Sequence, residues 1–570
     1  MSGADRRACA VLACWAGLAW TLPSALAQPV MPEQTPEWTP ERTQVQTQQT
    51  AQDTAVPSFA ELEAAGATIG EIRIVNADIF DLDDPKENNV LFRLANKLHI
   101  QTRPGVIERT LLFKRGEPLS VRLIDETERL LRNNRYLYDV RLRPIAYHDG
   151  VVDIEVHTRD TWSLDLGFSF GRAGGANSSR ISLREYNLMG TGVYLSYGRS
   201  STVDRSGNEF QIQSNHAFDG WTALRYSQAN NNDGKRREAS IQRPFYALDA
   251  RWAAGASASK EDRIDSVYTA GVVTSQYRHR QDLAEVFGGG SQGLVGGWAQ
   301  RYAVGLTSRD DAYGFEPGRI APAQLPSDQK IVAPFFRYEV IEDDFEKLTN
   351  RNQMGRPEFF ALGFAGTLQL GRALRGLGSS QDLWLYSGSV SNGFSLGSQH
   401  ELLSSASLSG QYGGGRVRRQ LLSMAARYYL PLNERVLLYG SASADALKNP
   451  DVSDLLTLGG DNGLRGYPLR YQTGERRALI TLEARAFTDP YLFRLFRIGG
   501  AAFYDAGRAW GGTNLNPANG GWLSNAGFGL RIFSVRSAFG NVLHADVAFP
   551  LNRDPSIKPV QFLLKSKTSF

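Results

Sequence analysis

Ala478-Leu479-Ile480-Thr481-Leu482-Glu483-Ala484-Arg485-Ala486-Phe487 alternates at a period of two. Ala478, Ile480, Leu482, Ala484 and Ala486 share one face of an extended chain, while Thr481, Glu483 and Arg485 share the other. Small apolar residues on one side and charges on the other suit a strand with lipid outside and water inside. The neighbouring segments repeat the pattern. In Phe496 to Ala506, Phe496, Ile498, Ala502 and Tyr504 oppose Arg497 and Asp505. In Asn525 to Ser534, Ala526, Phe528, Leu530 and Ile532 oppose Asn525 and Arg531. The last segment sets Val560, Phe562, Leu564 and Phe570 against Gln561, Lys565 and Lys567. An open sheet edge cannot sit in hydrocarbon, so such strands must close into a barrel.

Working back toward the N-terminus, the same texture persists as far as Trp162, with Gly, Asn, Asp and Ser clusters between segments. Counting gives about 20 candidate strands between Trp162 and Phe570, within the range open to bacterial barrels. Boundaries between Asp204 and Arg356 are poorly marked. A soluble β-sandwich or propeller also alternates, but three features oppose it: an export signal, no detectable internal repeat, and a terminal strand ending on Phe570. Phe562, Leu564 and Phe570 accordingly read as a barrel assembly signal.

Composition agrees. The chain of 570 residues carries 57 glycines and an aromatic share of 11%, with a mean hydropathy of −0.32. A polar average is compatible with barrel strands, which are apolar on alternate residues only. No stretch after residue 30 approaches the ~18 consecutive apolar residues of a transmembrane helix. The net charge of +4 is too small for a nucleic-acid footprint.

Arg6 and Arg7, the apolar run Ala8 to Leu22, and Ala25-Leu26-Ala27 lay out a secretory signal peptide over residues 1–27. Cys9 and Cys14 fall inside it, so the mature chain is expected to have no thiol chemistry. Residues 28–69 begin with Pro29, Pro32, Pro36 and Pro40 among Gln, Thr and Glu, and read as a disordered linker. Residues 70–160 have the texture of a small α/β domain. A first strand runs through Ile72 and Ile74 toward Ile79, and Pro104 to Phe113 reads as a short helix. Val121 to Asn133, behind Ser120 as a cap, reads as a second, with Leu123, Ile124, Thr127, Leu130 and Leu131 on one face. Strands around Val140 and Leu142, and around Val152, Ile154 and Val156, follow across the turn His148-Asp149-Gly150. The expected order is strand, helix, helix, strand, strand, with the barrel in 161–570.

Certain motifs resemble a known superfamily. The 70–160 domain, with Gly116-Glu117-Pro118-Leu119-Ser120 and Asn134-Arg135-Tyr136-Leu137-Tyr138-Asp139-Val140, is similar to a POTRA domain. Glu185-Tyr186-Asn187-Leu188-Met189-Gly190-Thr191-Gly192 resembles the Asn-Leu-x-Gly-x-Gly turn early in the barrels of BamA, TamA and the two-partner secretion transporters such as FhaC. Most specific is Gly459-Gly460-Asp461-Asn462-Gly463-Leu464-Arg465-Gly466-Tyr467, which matches that superfamily's VRGF-type loop with Leu for Val and Tyr for Phe. The chain departs from the pattern in having one POTRA-like domain. The resemblance also implies 16 strands; the larger count means either that strands have been cut at long loops, which is the preferred reading, or that this barrel is wider.

The resemblance implies that Leu464, Arg465, Gly466 and Tyr467 form a loop folded into the lumen, its arginine paired with acids on the next strands. Alternation independently puts Glu483 and Asp505 on the water-facing side, and Asp505 is the expected direct partner. The plainer alternative is that Arg465 is a solvated loop residue. The fold class expected is an all-β transmembrane antiparallel β-barrel behind one α/β domain, located in a bacterial outer membrane with the domain in the periplasm. The function implied is a protein translocase or insertase; the alternative is a passive pore or structural barrel. Expected partners are membrane lipids, an unfolded client polypeptide and accessory assembly subunits, with no nucleic acid. Nothing in the chain reads as a phosphate or cofactor site, and no paired metal-ligand spacing occurs among the seven histidines. GxSxG matches at Ser291 and Ser395 lack the strand–serine–helix context of a nucleophile elbow, so no enzyme is expected.

Overall fold

A computed structural model describes residues 56–354, 357–397, 400–492, 496–512, 518, 520–534, 542–552, 554–555, 557–567. The signal-peptide reading, most of the linker and Phe570 lie outside these residues.

A small domain comes first. Ser58 caps helix α1 (Phe59–Ala64), accepting from the Glu61 amide while the Glu61 side chain reaches back to the Ser58 amide. Strand β1 (Thr68–Ala77) follows, then helices α2 (Val90–Leu98), α3 (Pro104–Glu108) and α4 (Val121–Arg132), and strands β2 (Leu137–His148) and β3 (Val151–Asp160). The sheet order is β1-β3-β2, with β1 parallel and β2 antiparallel to β3. Val140, Val152, Ile154 and Val156 are fully buried, packed with Ile124, Leu131, Ile107 and Leu62. Each such side chain contributes about 1.5–3 kcal/mol on leaving water. Three details differ from the sequence reading. Helix α1 and the start of β1 fall within 28–69, read as linker; the Ser58–Glu61 capping box and buried Leu62 order that end. β1 ends at Ala77, so Ile79 is a buried residue beyond the strand. Helix α2 is an additional element: apart from buried Phe92, its large apolar residues are exposed, and the Asp- and Asn-rich run before it masks its start.

From Leu164 the chain is a closed barrel. Its first ten strands are β4 (Leu164–Ala173), β5 (Ala176–Glu185), β6 (Val193–Ser201), β7 (Ser206–Ala217), β8 (Thr222–Asn231), β9 (Gly234–Arg243), β10 (Trp252–Thr269), β11 (Val272–Val295), β12 (Trp298–Gly314) and β13 (Gln329–Glu342). A separate hairpin, β14 (Phe345–Thr349) and β15 (Pro357–Ala361), interrupts them. The wall resumes with β16 (Ala365–Ala373), β17 (Leu383–Ser395), β18 (Glu401–Gly413), β19 (Arg416–Asn433) and β20 (Val436–Lys448). A second short ladder, β21 (Leu456–Leu458) with β22 (Gln472–Gly474), sits in the next loop. Strands β23 (Arg476–Leu492), β24 (Phe496–Trp510), β25 (Leu523–Ser534), β26 (Val542–Pro550) and β27 (Gln561–Lys567) complete the ring.

The wall therefore has 20 strands, not the 16 that the resemblance implied. The surplus segments are whole strands, each paired with both neighbours, rather than fragments cut at loops. The faces divide as alternation requires. Outward residues are exposed, among them Leu482, Tyr504, Phe528, Leu530 and Phe562, while inward Glu483, Arg485, Asp505, Asn525 and Arg531 are buried. Outward apolar side chains on a closed sheet call for hydrocarbon around it. No helix among the described residues is long and apolar enough to cross a membrane.

Closure is uneven. β4 pairs with β5 along its whole length, from Leu164 to Ala173, and β27 pairs with β26 from Gln561 to Lys567. Between β4 and β27, among the described residues, one registered pair closes the ring, Leu564 with Arg172. The small domain sits at the end where β4 begins. Its α4 docks through Arg122 on Asp249 and through Glu126, which accepts from the Leu248 amide at 2.9 Å. His216 lies 3.0 Å from Asn134, and Asn187 donates to Thr102 at 2.8 Å.

Candidate functional site

The 449–475 connection between β20 and β23 enters the lumen from the end opposite the domain. Its turn cannot carry side chains at the glycines: a Cβ on Gly466 would lie 2.7 Å from that of Asn525, and one on Gly460 would lie 2.3 Å from the Tyr467 carbonyl oxygen. Leu464 and Tyr467 are fully buried beside Leu458, Tyr471, Ala509 and Leu523. The Tyr467 hydroxyl donates to the Ser524 carbonyl at 2.9 Å, and the Gly466 amide donates to the Asn525 side chain at 3.1 Å.

This packing delivers Arg465 to the barrel wall. Its Nε and Nη2 donate to both oxygens of Asp505 at 2.8 and 2.7 Å, and Nη1 donates to Glu483 at 2.9 Å. Asp546 on β26 lies 3.8 Å away, and the guanidinium stacks 3.4 Å over the Phe503 ring. Asp505 is fully buried and also accepts from Thr481 and Asn525. The two-pronged contact is one that lysine cannot reproduce.

The loop also grips both sides of the weakly paired seam. On β27, Lys565 donates to the carbonyls of Gly460 and Asp461 at 3.0 and 3.1 Å. On the other side, the Leu469 amide donates to the carbonyl of Gly174, in the β4–β5 turn, at 3.2 Å. Arg470 chelates Asp204 in the β6–β7 turn at 2.8 and 2.6 Å and stacks over Tyr268 of β10.

The β14–β15 hairpin enters from the domain end. Arg351 near its tip donates to Glu401 of β18 at 2.7 and 3.0 Å, both groups being buried. Glu358 accepts the Arg351, Asn352 and Gln353 amides, which fixes the turn. Leu348, Met354 and Phe360 pack on Tyr429, Leu437, Phe487 and Phe533 of the wall. Arg485 of β23 joins the two intrusions. It donates to Glu483, the Arg465 partner, at 2.9 Å and to the Arg351 carbonyl at 2.9 Å.

Thus the structure brings Leu464, Arg465, Gly466, Tyr467, Glu483 and Asp505 together in the lumen. Phe562 and Leu564 lie elsewhere, outward-facing on β27. Sequence reasoning missed Asp546, which the same alternation places inward, and the Arg351–Glu401 seat. Ser291 lies within β11 and Ser395 ends β17; among the described residues neither is followed by a helix. The described residues contain no group of three metal-ligating side chains.

The plug-like hairpin carries a prediction. Arg351→Ala leaves Glu401 buried without its cation, a loss of about 3–5 kcal/mol in the hairpin's seat. Ion conductance of the variant in planar bilayers is expected to exceed wild type several-fold; equal conductance would mean that the hairpin does not obstruct the lumen.

No protein-family model and no curated protein sequence matches this chain. Among solved structures, BamA from Haemophilus ducreyi lacking POTRA domains 1–3 is similar at 14% identity and a TM-score of 0.40, covering 88% of this chain and 85% of that one. CdiB from Acinetobacter baumannii is similar at 13% identity and 0.45, covering 88% and 74%. CdiB from Escherichia coli is similar at 14% identity and 0.44, covering 92% and 93%. At such identities and TM-scores, these likenesses decide nothing about what the chain does.

Proposed function

We propose that the protein is an outer-membrane translocase or insertase that moves a polypeptide across the membrane or releases it into the membrane through the β4–β27 seam. The observation that carries this reading is the seam itself: among the described residues β4 and β27 share one registered pair, while the other neighbouring wall strands pair over several residues, and the 449–475 loop brackets the seam through Lys565 and Gly174. A strand edge with unused hydrogen-bonding groups is a template for another chain. Strand pairing is largely sequence-tolerant, which suits varied clients. Two loops that converge inside the barrel from opposite ends narrow any path for passive diffusion. The export-signal reading and the VRGF-type motif support an outer-membrane place among the BamA and two-partner secretion barrels.

In this reading the 70–160 domain is a periplasmic POTRA-like receiver. Among the described residues strand β2 is an edge of its sheet, paired with β3 on one side, and offers its other side to an extended client. Arg129 on α4 lies 4.1 Å over Phe345 of the plugging hairpin, a direct link from receiver to lumen. The test is photocrosslinking in cells from Arg141, exposed on β2. Capture of unfolded outer-membrane or secreted polypeptides is expected. Absence of any captured chain, with solute conductance intact, would favour a passive pore.

A further inference from the structure

Helix α2 is held to the domain by one face and leaves the other uncovered. Phe92 stacks on Phe80 with ring centroids 3.9 Å apart, and the Asn96 amide bonds both the N–H and the C=O of Phe80. At 100° per residue, Phe92, Ala95 and Asn96 form that inner face. The opposite arc holds Val90, Leu91, Leu94 and Leu98, exposed by 74, 66, 49 and 62%. Arg93 and Lys97 flank it on one side, both exposed. Ile100, just past the helix, extends the apolar surface at 59% exposure. Isolated exposed apolar residues are ordinary; an arc of them on one helix face needs a cover.

The attachment of the helix says what covers it. Five residues beyond Leu98, the Arg103 amide donates to the Gly190 carbonyl at 2.9 Å and its guanidinium to the Met189 carbonyl at 3.2 Å. His99 lies 2.8 Å from Asp160, which also accepts from the Thr102 amide and hydroxyl, and Asn187 donates to Thr102. A Cβ on Gly190 would lie 2.3 Å from the Gln101 carbonyl oxygen, so the approach is close. Residues 187–190 form the β5–β6 turn at the domain end of the barrel, and Met189 there is itself 64% exposed. The neighbouring strand β4 carries outward Leu164 and Leu166 at the same end. The helix is therefore tethered by a few residues to the rim of the lipid-facing wall.

We infer that α2 is a membrane-interface helix, its Val90–Leu91–Leu94–Leu98 arc seated among the acyl chains at the near leaflet surface and Arg93 and Lys97 at lipid phosphates. The chemistry fits: a short amphipathic helix with basic residues beside its apolar face binds in the interface plane, more strongly when lipids are anionic. Anchoring there would fix the small domain beside β4, the strand at the seam. This inference needs only that the barrel spans a bilayer; it does not depend on polypeptide transport.

The test uses the full-length protein in vesicles of phosphatidylcholine and phosphatidylglycerol. Leu94→Cys is labelled with an environment-sensitive fluorophore, and lipids spin-labelled near the headgroup end of the acyl chain serve as quenchers. Emission shifted to the blue and strong quenching are expected at position 94, with neither at a control label on exposed Arg141→Cys. Arg93→Glu with Lys97→Glu is expected to reduce the quenching in anionic vesicles, with the barrel's heat-modifiable gel shift unchanged. A label at 94 that stays water-exposed and unquenched in both lipid compositions would overturn the inference. So would crosslinking from 94 to a protein partner without lipid quenching.

Discussion

Arg465→Ala is expected to yield a barrel of near-normal abundance that has lost most of its transport activity. The two readouts separate because the ring is held by strand ladders in which Arg465 takes no part, whereas this side chain makes the 449–475 loop's ionic contacts with the β23 and β24 carboxylates. Removing it takes away the bidentate bond to Asp505, the bond to Glu483 and the stack on Phe503. The carboxylates are not wholly orphaned, since Asp505 keeps Thr481 and Asn525 and Glu483 keeps Arg485. The cost is then at the low end of that for breaking a buried ion pair, about 3 kcal/mol. That is roughly a 100-fold fall in the ratio of seated to released loop. With the loop released, its grip through Lys565 and Gly174 no longer sets the state of the seam. Arg465→Lys keeps the charge but not the fork and is expected to be intermediate. Asp505→Asn is expected to cost more activity than Glu483→Gln, because Asp505 takes two of the three bonds. Folded barrel is measured by the heat-modifiable gel shift and activity by client secretion or insertion. Full activity of Arg465→Ala would leave the latch without a functional role.

What made this arrangement legible was contrast between strand faces. In β23 and β24 small apolar residues oppose charged ones, so alternation alone placed Glu483 and Asp505 inward, and the Leu464–Tyr467 motif supplied the arginine. Where both faces are small or polar the signal fades. In β10, outward Ala254, Ala256 and Ala258 alternate with inward Gly255, Ser257 and Ser259, which differ little in polarity. Strand ends there are poorly marked, so the direct count of about 20 stood beside the implied 16, and the structure has the 20. The β14–β15 hairpin was illegible for another reason. It falls at the end of the poorly marked 204–356 stretch, and among the described residues its two strands, five residues each, pair with each other and not with the wall. Its destination is set by Arg351 meeting Glu401, fifty residues away, and no local pattern encodes that. Helix α2 escaped notice because a core-seeking reading looks for apolar residues that turn inward, and these turn outward.

The central claim is that the seam between the first and last strands is the part that moves. The registered pair Arg172 and Leu564 offers the means to hold it shut. In the double variant Arg172→Cys, Leu564→Cys, the side chains face each other across an antiparallel pair, at a spacing a disulfide can bridge with little backbone adjustment. Ala545→Cys with Leu564→Cys places the same bond between β26 and β27, where strands are already paired along their length. The decisive measurement is client transfer into or across the membrane by each oxidised variant, before and after reductant. Transfer is expected to fall to background only with the β4–β27 bond and to recover on reduction. A fully crosslinked β4–β27 protein that moved its client at the wild-type rate would contradict the account.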